Sequence, residues 1–333
     1  MKITVTYNVV RKVAVGNPLD ILADEDTVKT AEAIARGLQS LGNTVDLLAI
    51  DEQSVKRLKN HPTDFYFNSA FGIGGMAKSE ADVAAFLERS GKPFSGSDAK
   101  AIILTTEKVA TKKLLIAHDI PTPKYQVFSG CERLDPALSF PLVVKPATED
   151  SSLGIGAASV VKTCPAAEKQ MQIIRDEYDD PVLVEEYIEG RELNVTVLGN
   201  GEQARVLPIS EIIFGPSFKN HYKVVDFAAK WEIDSWKYKE TNGICPADLA
   251  EQVRKKVADT ALSAYRLTGC RDYGRVDIRL DKSGVPYILE VNANPGIGLE
   301  DGASRSAKAA GLAYPQFLEE IVHIALARYE NKS

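Results

Sequence analysis

The sequence predicts an α/β protein of two or three lobes, with an open parallel α/β domain first and α+β segments after it. Three observations predict this arrangement. The chain has 333 residues, more than one ordinary domain of about 100 to 150 residues holds. Its first hundred residues alternate strand-like and helix-like spacing, which is typical of a parallel sheet. The rest contains paired strand-like runs with short connections, which favour hairpins.

The N-terminal elements follow from the spacing of apolar residues. Ile3, Val5 and Tyr7 alternate as in a strand, and residues 27–41 have apolar side chains at helical spacing. The next predicted elements are strands at 44–50 and 65–71, a glycine-rich loop at 72–75 and a helix over 79–90. We therefore predict one open parallel α/β domain over residues 1–104.

A central α+β lobe is predicted over residues 105–191. It opens with a helix over 106–118, which the prolines of the IPTP segment stop. The further predicted elements are strands at 141–146 and 158–162 joined as a hairpin, a helix at 165–178, and two strand-like runs that turn at 189–191. The connection between the first two strands, ATEDSSLGIGA, is a loop of small residues, which favours a hairpin over a crossover through a helix.

The last predicted lobe covers residues 192–333 and is also α+β. Its predicted elements are strands, a long loop over 214–243, a helix over 247–267, a hairpin turning at DKSG (281–284) and a closing helix over 314–329. The closing helix has one apolar stripe and is interpreted as core packing.

Composition excludes several classes of protein. Hydrophobic residues make up 44% and charged residues 26%, as in ordinary globular proteins, and the net charge of −6 argues against a nucleic-acid partner. No run of about 18 apolar residues predicts a membrane span. The cysteines form no CxxC pair, which argues against zinc or a disulfide framework and favours the cytoplasm.

Polar side chains converge on the predicted hairpin of the last lobe. Alternation places Arg275 and Asp277 on one face of the first strand, and Glu290 and Asn292 on one face of the second. Carboxylate and amide oxygens suit Mg²⁺ bridged to phosphates better than they suit zinc. The alternative is an exposed polar strand face on which the arginine pairs with the aspartate.

Two further features of the central lobe suit a phosphate ligand. The loop 149–156 offers backbone N–H groups, hydroxyls and glycine freedom for a phosphate flap, although a flexible hairpin tip has the same composition. Lys145 lies in an otherwise apolar run, where an unpaired ammonium is costly, so it needs an anionic partner.

Six segments in order resemble the ATP-grasp fold, and most closely the D-alanine:D-alanine ligase family. They are TTEKVATKKLL, PLVVKPATEDSSLGIG, LVEEYIEGRELNV, FAAKW, YGRVDIRLD and ILEVNANPG. The resemblance covers nearly the whole chain and is strongest over residues 105–311. It implies three lobes in which the two α+β lobes clamp ATP.

The resemblance implies a set of nucleotide contacts. Lys108, Lys145 and Lys230 contact the phosphates of ATP, under a flap that contains Ser151 and Ser152. Ser151 also counts among the catalytic residues. Glu185, Glu186 and Ile188 contact the adenine, the latter two mainly through backbone atoms, and Glu192 holds the ribose.

The same resemblance assigns metal ligands and a reaction. Asp277, Glu290 and Asn292 bind two Mg²⁺ ions, with Mn²⁺ as the alternative metal, while Arg275 and the N–H of Gly296 stabilise the transferred phosphate and the tetrahedral intermediate. A substrate carboxylate attacks the γ-phosphate to give an acyl phosphate, and an amine then displaces phosphate. Positioned charges suffice for such a phosphoryl transfer. The resemblance also implies a homodimer.

Three departures from the family concern the substrates. The GG-x-S-x-E stretch that meets the first substrate's ammonium is absent, and Glu25 stands before the first helix with Asp24 and Asp26, either for that contact or as capping charges. Asn68 and Ser69 are taken to replace a histidine and glycine pair.

Asp301 stands where the family has a serine that accepts the second substrate's carboxylate. An aspartate repels a carboxylate and attracts an amine.

The leading hypothesis is an ATP-dependent ligase that joins amino acids or similar small molecules. The alternatives are a D-alanine:D-alanine ligase proper, an ATP-grasp enzyme whose carboxylate substrate is no amino acid, and a nucleotide-binding regulatory protein without turnover. The complete series of lysines, arginine and metal ligands disfavours the last, because a sensor needs no complete metal set.

Overall fold

The computed structural model describes residues 1–8, 21–73, 79–129, 133–148, 152–178 and 180–330. Within these residues the chain forms three sheets, each covered by helices. Residues 74 and 75 of the predicted glycine-rich loop and residues 149–151 of the predicted flap, Ser151 included, lie outside the described residues.

The N-terminal lobe is an open parallel sheet, as predicted. Its elements are β1 (Lys2–Asn8), α1 (Ile21–Ser40), β2 (Thr44–Ile50), β3 (Phe65–Asn68) and α2 (Glu80–Ser90). The strands pair in the order β2–β1–β3, all parallel. Val5 of β1 shares a core with Ile34 and Leu38 of α1, because the apolar stripe of the helix faces the sheet.

Helix α1 begins earlier than predicted. Asp24, Glu25 and Asp26 lie in its first two turns rather than before it, so the expectation that they precede the helix is wrong. Acidic side chains are favourable near the positive end of the helix dipole, which allows the helix to extend back through them.

The central lobe is built on an antiparallel sheet. Its elements are α3 (Ala99–Thr106), α4 (Lys108–Ala117), β4 (Tyr125–Phe128), β5 (Leu142–Pro146), β6 (Val160–Val161), α5 (Cys164–Tyr178) and β7 (Val182–Glu186). The strand order is β4–β7–β5–β6, and β5 and β6 form the predicted hairpin. The predicted helix over 106–118 corresponds to α4, whereas α3, which the non-helical backbone of Glu107 (ψ 81°) separates from it, was not predicted.

The C-terminal lobe holds the largest sheet of the described residues. Its elements are β8 (Gly190–Leu198), β9 (Arg205–Val206), β10 (Ser210–Phe214), α6 (Phe227–Trp231), α7 (Trp236–Lys239), β11 (Thr241–Ile244), α8 (Glu251–Leu267), β12 (Tyr273–Asp281), β13 (Pro286–Asn292), α9 (Gly302–Ala309) and α10 (Tyr314–Glu330). The strand order is β11–β10–β8–β12–β13, with β9 beside β8. The β12–β13 hairpin is confirmed, whereas the predicted loop over 214–243 contains two short helices.

The change from one sheet to the next falls between Glu186 and Gly190. Strands β7 and β8 belong to different sheets, so the predicted turn at 189–191 is a connection between lobes and not a hairpin. This connection lies within a few residues of the predicted boundary between 105–191 and 192–333. The division of the chain into these segments stays a prediction.

The closing helix α10 returns to the N-terminal lobe. Phe317, Ile321 and Ala325 are buried in the core that contains β1 and α1, as the apolar stripe predicted. Near its end Arg328 donates to the fully buried carboxylate of Asp272, with Nε 2.7 Å from Oδ1, and the N–H of Gly96 donates to Oδ2 at 2.8 Å. This buried carboxylate therefore connects segments from three parts of the chain.

Candidate active site

A cavity of about 480 Å³ lies where the three lobes meet. Its lining comes from strands β5 and β7, from β8, β12 and β13, and from the turn after β13. Residues of the N-terminal lobe also contribute to the lining.

Most of the predicted site residues line this cavity. They are Lys108, Lys145, Ser152, Glu185, Glu186, Ile188, Glu192, Lys230, Arg275, Asp277, Glu290, Asn292, Gly296 and Asp301. Asn68 is not among them. Glu25 lies in α1, and only its backbone is described.

The polar cluster of the β12–β13 hairpin is held together by its register. Arg275 is paired with Asn292 across the strands, and Asp277 with Glu290. The guanidinium of Arg275 binds Asp277 at two points, with Nε–Oδ1 at 2.7 Å and Nη2–Oδ2 at 2.8 Å, and Asn292 Nδ2 donates to Oδ2 at 3.1 Å. The predicted ion pair between arginine and aspartate and the predicted convergence of oxygen ligands therefore occur in the same cluster.

A β-bulge changes the face of one residue in this hairpin. The pairing slips after Asp277, so Leu289 becomes an extra residue of β13. Regular alternation along β13 would place Leu289 on the face opposite Glu290, but both residues line the cavity. Strand alternation alone gives no sign of such a slip.

The two carboxylates of the cluster disturb each other's protonation. Burial raises the pKa of Asp277, Arg275 opposes it, and Glu290 raises it further. Burial also favours neutral Glu290, but Lys108, Lys145 and Arg275 bring its pKa below the ordinary value. Two adjacent buried carboxylates are costly without enough positive charge, which a divalent cation supplies.

The residues of the cluster fit magnesium as a donor set. Among the described residues, no group of three or more His, Cys, Asp or Glu is placed to hold a metal ion. A metal here would therefore take oxygens of Asp277 and Glu290 together with the amide oxygen of Asn292. Hard oxygen donors of this kind suit Mg²⁺.

Lys145 has the anionic partner that its apolar surroundings predicted. Its Nζ lies 2.5 Å from Oε1 of Glu185, whose Oε2 lies 2.8 Å from Nζ of Lys112. Glu185 therefore bridges two lysines, with a side chain only 3% exposed. Burial opposes the charge of Glu185, but Lys112 and Lys145 outweigh it and lower its pKa.

Sequence reasoning missed Lys112. It lies four residues after Lys108 on α4, and both side chains are buried on the same face of the helix. A lysine on the buried side of an amphipathic helix was the signal for an internal ion pair. Burial lowers the pKa of Lys112, while Glu185 raises it and Lys145 lowers it further.

Arg279 organises the end of the cavity predicted for adenine and ribose. Its Nη1 donates to Glu192 Oε2 at 3.0 Å, its Nε to the carbonyl of Ile188 at 2.9 Å, and its Nη2 to the hydroxyl of Tyr187 at 3.0 Å. Burial raises the pKa of Glu192, with Arg279 opposing it. Glu186 also lines the cavity, and its side-chain Oε1 accepts the N–H of Ser139 at 2.9 Å.

The described part of the flap is joined to the segment that carries Lys230. The hydroxyl of Ser152 donates to the carbonyl of Val225 at 2.9 Å, and the N–H of Phe227 donates to the carbonyl of Ile155 at 2.9 Å. Burial and nearby Arg275 lower the pKa of Lys230, whereas Asp301 raises it. The flap and the lysine segment therefore approach the cavity as one unit.

The N-terminal lobe presents different residues from those predicted. Asn68 is buried in the sheet, where its Oδ1 accepts the hydroxyl of Thr6 at 3.0 Å, and it does not reach the cavity. The structure therefore gives no support to a substrate contact at Asn68, which stays a prediction. Phe71 and Gly72 line the cavity instead, as does Glu80, whose Oε1 accepts Nδ2 of Asn294 at 2.8 Å.

The turn between β13 and α9 is held by Asp301. Its Oδ2 accepts the N–H of Gly298 at 2.7 Å. A Cβ at Gly296 would lie 2.7 Å from the same oxygen, so this close approach requires glycine.

We call the charged groups Lys145, Glu185, Glu192 and Arg279, with Lys112 behind them, the sheet wall. We call Gly296, Asp301, Gly302 and Arg305 the turn wall. The two walls face the same cavity.

The chain is similar to known proteins over most of its length. A family model described as D-ala D-ala ligase C-terminus matches residues 114–323. An uncharacterized protein of Sinorhizobium fredii, y4sG, is 33% identical over 90% of this chain and 88% of its own. The D-alanine–D-alanine ligase of Bordetella petrii is 32% identical over 91% of this chain and 88% of its own.

Solved structures share the fold. A D-alanine–D-alanine ligase from Bacillus anthracis, complexed with ATP, covers 100% of both chains with a TM-score of 0.78 and 23% identity. The VanG D-Ala:D-Ser ligase from Enterococcus faecalis covers 97% of this chain and 99% of its own, with a TM-score of 0.75 and 20% identity.

Proposed function

This chain belongs to the D-alanine–D-alanine ligase family and has the ATP-grasp fold, and from that premise we propose that it joins two amino acids or amino-acid-like molecules. It is an ATP-dependent ligase that forms a carbon–nitrogen bond. The observation that carries the proposal is the cluster of Arg275, Asp277, Glu290 and Asn292 in one cavity with Lys108, Lys145 and Lys230.

In the first step, a carboxylate oxygen of the first substrate attacks the γ-phosphorus of ATP. The bond from that phosphorus to the bridging oxygen breaks, ADP leaves, and an acyl phosphate forms. Lys108, Lys145 and Lys230 neutralise the phosphate oxygens, and Arg275 faces the transferred group. Fixed charges lower such barriers because they need no rearrangement during the reaction.

In the second step, the amine of the second substrate attacks the acyl carbon. Phosphate leaves with the oxygen that it received, and the amine loses a proton as the amide forms. The N–H of Gly296 and the guanidinium of Arg275 stabilise the oxyanion of the tetrahedral intermediate. Because acyl phosphates hydrolyse, the contact between Ser152 and Val225 over the cavity also serves to exclude water.

Asp277, Glu290 and Asn292 are the residues that would hold magnesium, in two ions, or manganese in its place. Bound there, the metal supplies positive charge to the phosphates and aligns them. Glu185, Glu186, Ile188 and Glu192 serve the adenine and ribose. Glu185 does so with both carboxylate oxygens paired to lysines, so its effect on adenine depends on that ion-pair cluster.

A second candidate function is D-alanine:D-alanine ligation proper. The names of the relatives favour it. The carboxylate of Asp301 beside Gly296 disfavours alanine as second substrate unless a cation balances it. A regulatory protein without turnover is not favoured, because the cavity brings the lysines and metal ligands together.

We also propose that the enzyme is a homodimer of three-lobed subunits and acts in the cytoplasm. The family resemblance supports the dimer, and light scattering at micromolar concentration tests it. No helix in the described ranges is long and apolar enough to cross a membrane.

Phosphate release tests the function. Purified protein with ATP, Mg²⁺ and pooled D- and L-amino acids is expected to release phosphate and to form a condensed product visible by mass spectrometry. Glu290→Gln is expected to lower turnover by about 10²–10³-fold, because a charged metal ligand is lost. The control Glu189→Gln removes an exposed carboxylate near the same sheet and is expected to leave turnover unchanged. ATP binding without phosphate release from any pool contradicts the ligase function.

A further inference from the structure

The turn wall presents two opposite charges that do not pair with each other. Asp301 and Arg305 both line the cavity, and no ion pair within 4 Å joins them. Oδ2 of Asp301 accepts the N–H of Gly298, and Oδ1 has no partner within the described part of the chain. Both charged groups therefore retain bonding capacity toward the cavity.

Arg305 uses only part of its donor capacity. Its Nε donates to the hydroxyl of Ser210 at 2.9 Å, and its Nη1 donates to the carbonyl of Glu300 at 3.1 Å. Nη2 makes no hydrogen bond to the described residues. A guanidinium carries five N–H donors in a planar fork, so a carboxylate can still bind at its open edge.

The position of this guanidinium is built into the sheet. Gly243 of β11 lies under it so closely that a Cβ there would be 2.0 Å from Cζ of Arg305. Ser210, which holds Nε, is fully buried and donates to the carbonyl of Ile244 at 3.1 Å. The residues that hold Arg305 therefore come from two neighbouring strands, and the side chain is not a loosely solvated cation.

Phosphoryl transfer does not require this cation. Four other positive groups in the cavity, Lys108, Lys145, Lys230 and Arg275, are assigned to the phosphates and the transferred group. Arg305 lies on the turn wall instead, one helical turn from Asp301, which is the residue beside the predicted oxyanion donor Gly296. A ligand with one negative and one positive group could pair with Arg305 and Asp301 at the same time.

We propose that Arg305 binds the carboxylate of the second substrate and that Asp301 receives its amino end, so that the second substrate is a zwitterionic amino acid. The inference rests on the proposed ligase function and names the class of its amine substrate. It also modifies the expectation from sequence that Asp301 excludes a carboxylate, because Arg305 balances that charge. The amino end is then placed beside Gly296, where the acyl carbon reacts.

A competition between an acid and its amide tests this assignment. The enzyme receives ATP, Mg²⁺, the first substrate found in the pool screen, and equal amounts of D-alanine and D-alaninamide. The same competition is then run with D-serine and D-serinamide, and with the L-enantiomers of both pairs. The amides lack a carboxylate and can react only as second substrates. Mass spectrometry of the two condensed products gives their ratio, which does not depend on how much enzyme is folded.

The wild-type protein is expected to favour the acid by about 30-fold or more for the amino acid that it accepts, as a charge-assisted pair implies. Arg305→Met is expected to bring the ratio close to one, and Arg305→Lys to retain part of the preference. Lys308→Met, on the exposed face of the same helix, is the matched control and is expected to keep the wild-type ratio.

Gly243→Ala provides a test that keeps the charge. The new methyl group displaces the flexible end of Arg305, so the acid preference is expected to fall about 10-fold although every ionisable residue remains. A wild-type ratio near one, or an unchanged ratio in Arg305→Met, overturns the inference and leaves the ligase function standing. Absence of both products with every first substrate overturns the ligase function and the inference together.

Discussion

The sheet wall and the turn wall differ in how their charges are satisfied. On the sheet wall, Glu185 is bound by two lysines and Glu192 by Arg279. On the turn wall, Asp301 and Arg305 have no ion-pair partner within the described residues. One wall is a closed ionic network before any ligand binds, and the other presents open charges.

This difference separates two tasks. A paired network costs little reorganisation when ATP binds, so it positions a ligand that is the same in every turnover. An unpaired half-buried charge is unfavourable until a complementary group arrives, so it discriminates among ligands. The positioning of the nucleotide therefore depends on the sheet wall, and the choice of second substrate depends on the turn wall.

The largest expected effect comes from breaking the network at Glu185. Glu185→Gln leaves the buried ammonium groups of Lys112 and Lys145 without their counter-charge, which is expected to lower the free energy of unfolding by about 3–5 kcal/mol. Denaturant titration at pH 7 measures it. Glu177→Gln, an exposed carboxylate in the same lobe, is the control. A loss below about 1 kcal/mol would mean that the sheet wall is not a closed network.

Acid should reveal the same network without a mutation. The pKa of Glu185 is lower in the folded protein than its ordinary value of 4.5, so its stabilising contribution is complete above that pH and is lost as the pH falls through the lower folded value. The free energy of unfolding of the wild-type protein is expected to fall more steeply below pH 4.5 than that of Glu185→Gln. Parallel curves from pH 6 to pH 3 would contradict this role.

Arg279 tests whether the sheet wall positions the nucleotide. Arg279→Met releases Glu192, the carbonyl of Ile188 and the hydroxyl of Tyr187, and is expected to raise KM for ATP about 10-fold with a smaller change in kcat. Arg205→Met, which removes an exposed ion pair with Glu320, is the control. An equal fall of kcat at unchanged KM would place Arg279 in the chemical step instead.

The smallest effect is expected at Asp301. Asp301→Ser removes a carboxylate that has no ion-pair partner among the described residues, and a serine hydroxyl can still accept the N–H of Gly298. The free energy of unfolding is expected to change by less than about 1 kcal/mol. Thermal unfolding of Asp301→Ser and of Glu185→Gln compares the two variants directly. A large loss of stability in Asp301→Ser would show that the charges of the turn wall are also paired.

Much of the fold was predictable because its local signals are strong. The alternation in β1, the stripe of α10 and the turn of the β12–β13 hairpin each agree with the structure. Predictions failed where neighbouring residues carry no boundary signal. Helix α3, which ends directly before Glu107, was not predicted, and acidic residues 24–26 do not mark the start of α1.

The candidate site was predictable where residues lie together in one motif. Asp277 and Glu290 face each other because a hairpin fixes their register. Lys112 and Arg305 were not predicted as site residues, because their roles depend on contacts with Glu185 and Gly243, which are distant in sequence. Contacts between residues far apart in sequence leave no periodic pattern along the chain.

The joint between the flap and the lysine segment has a consequence for the timing of turnover. The two hydrogen bonds, from Ser152 to Val225 and from Phe227 to Ile155, must break for the two segments to part. Together they are worth about 1–3 kcal/mol, which favours the joined arrangement by a factor of about 5 to 150. A nucleotide enclosed beneath this joint leaves only from the open state, so the strength of the two hydrogen bonds contributes to the rate at which ADP departs.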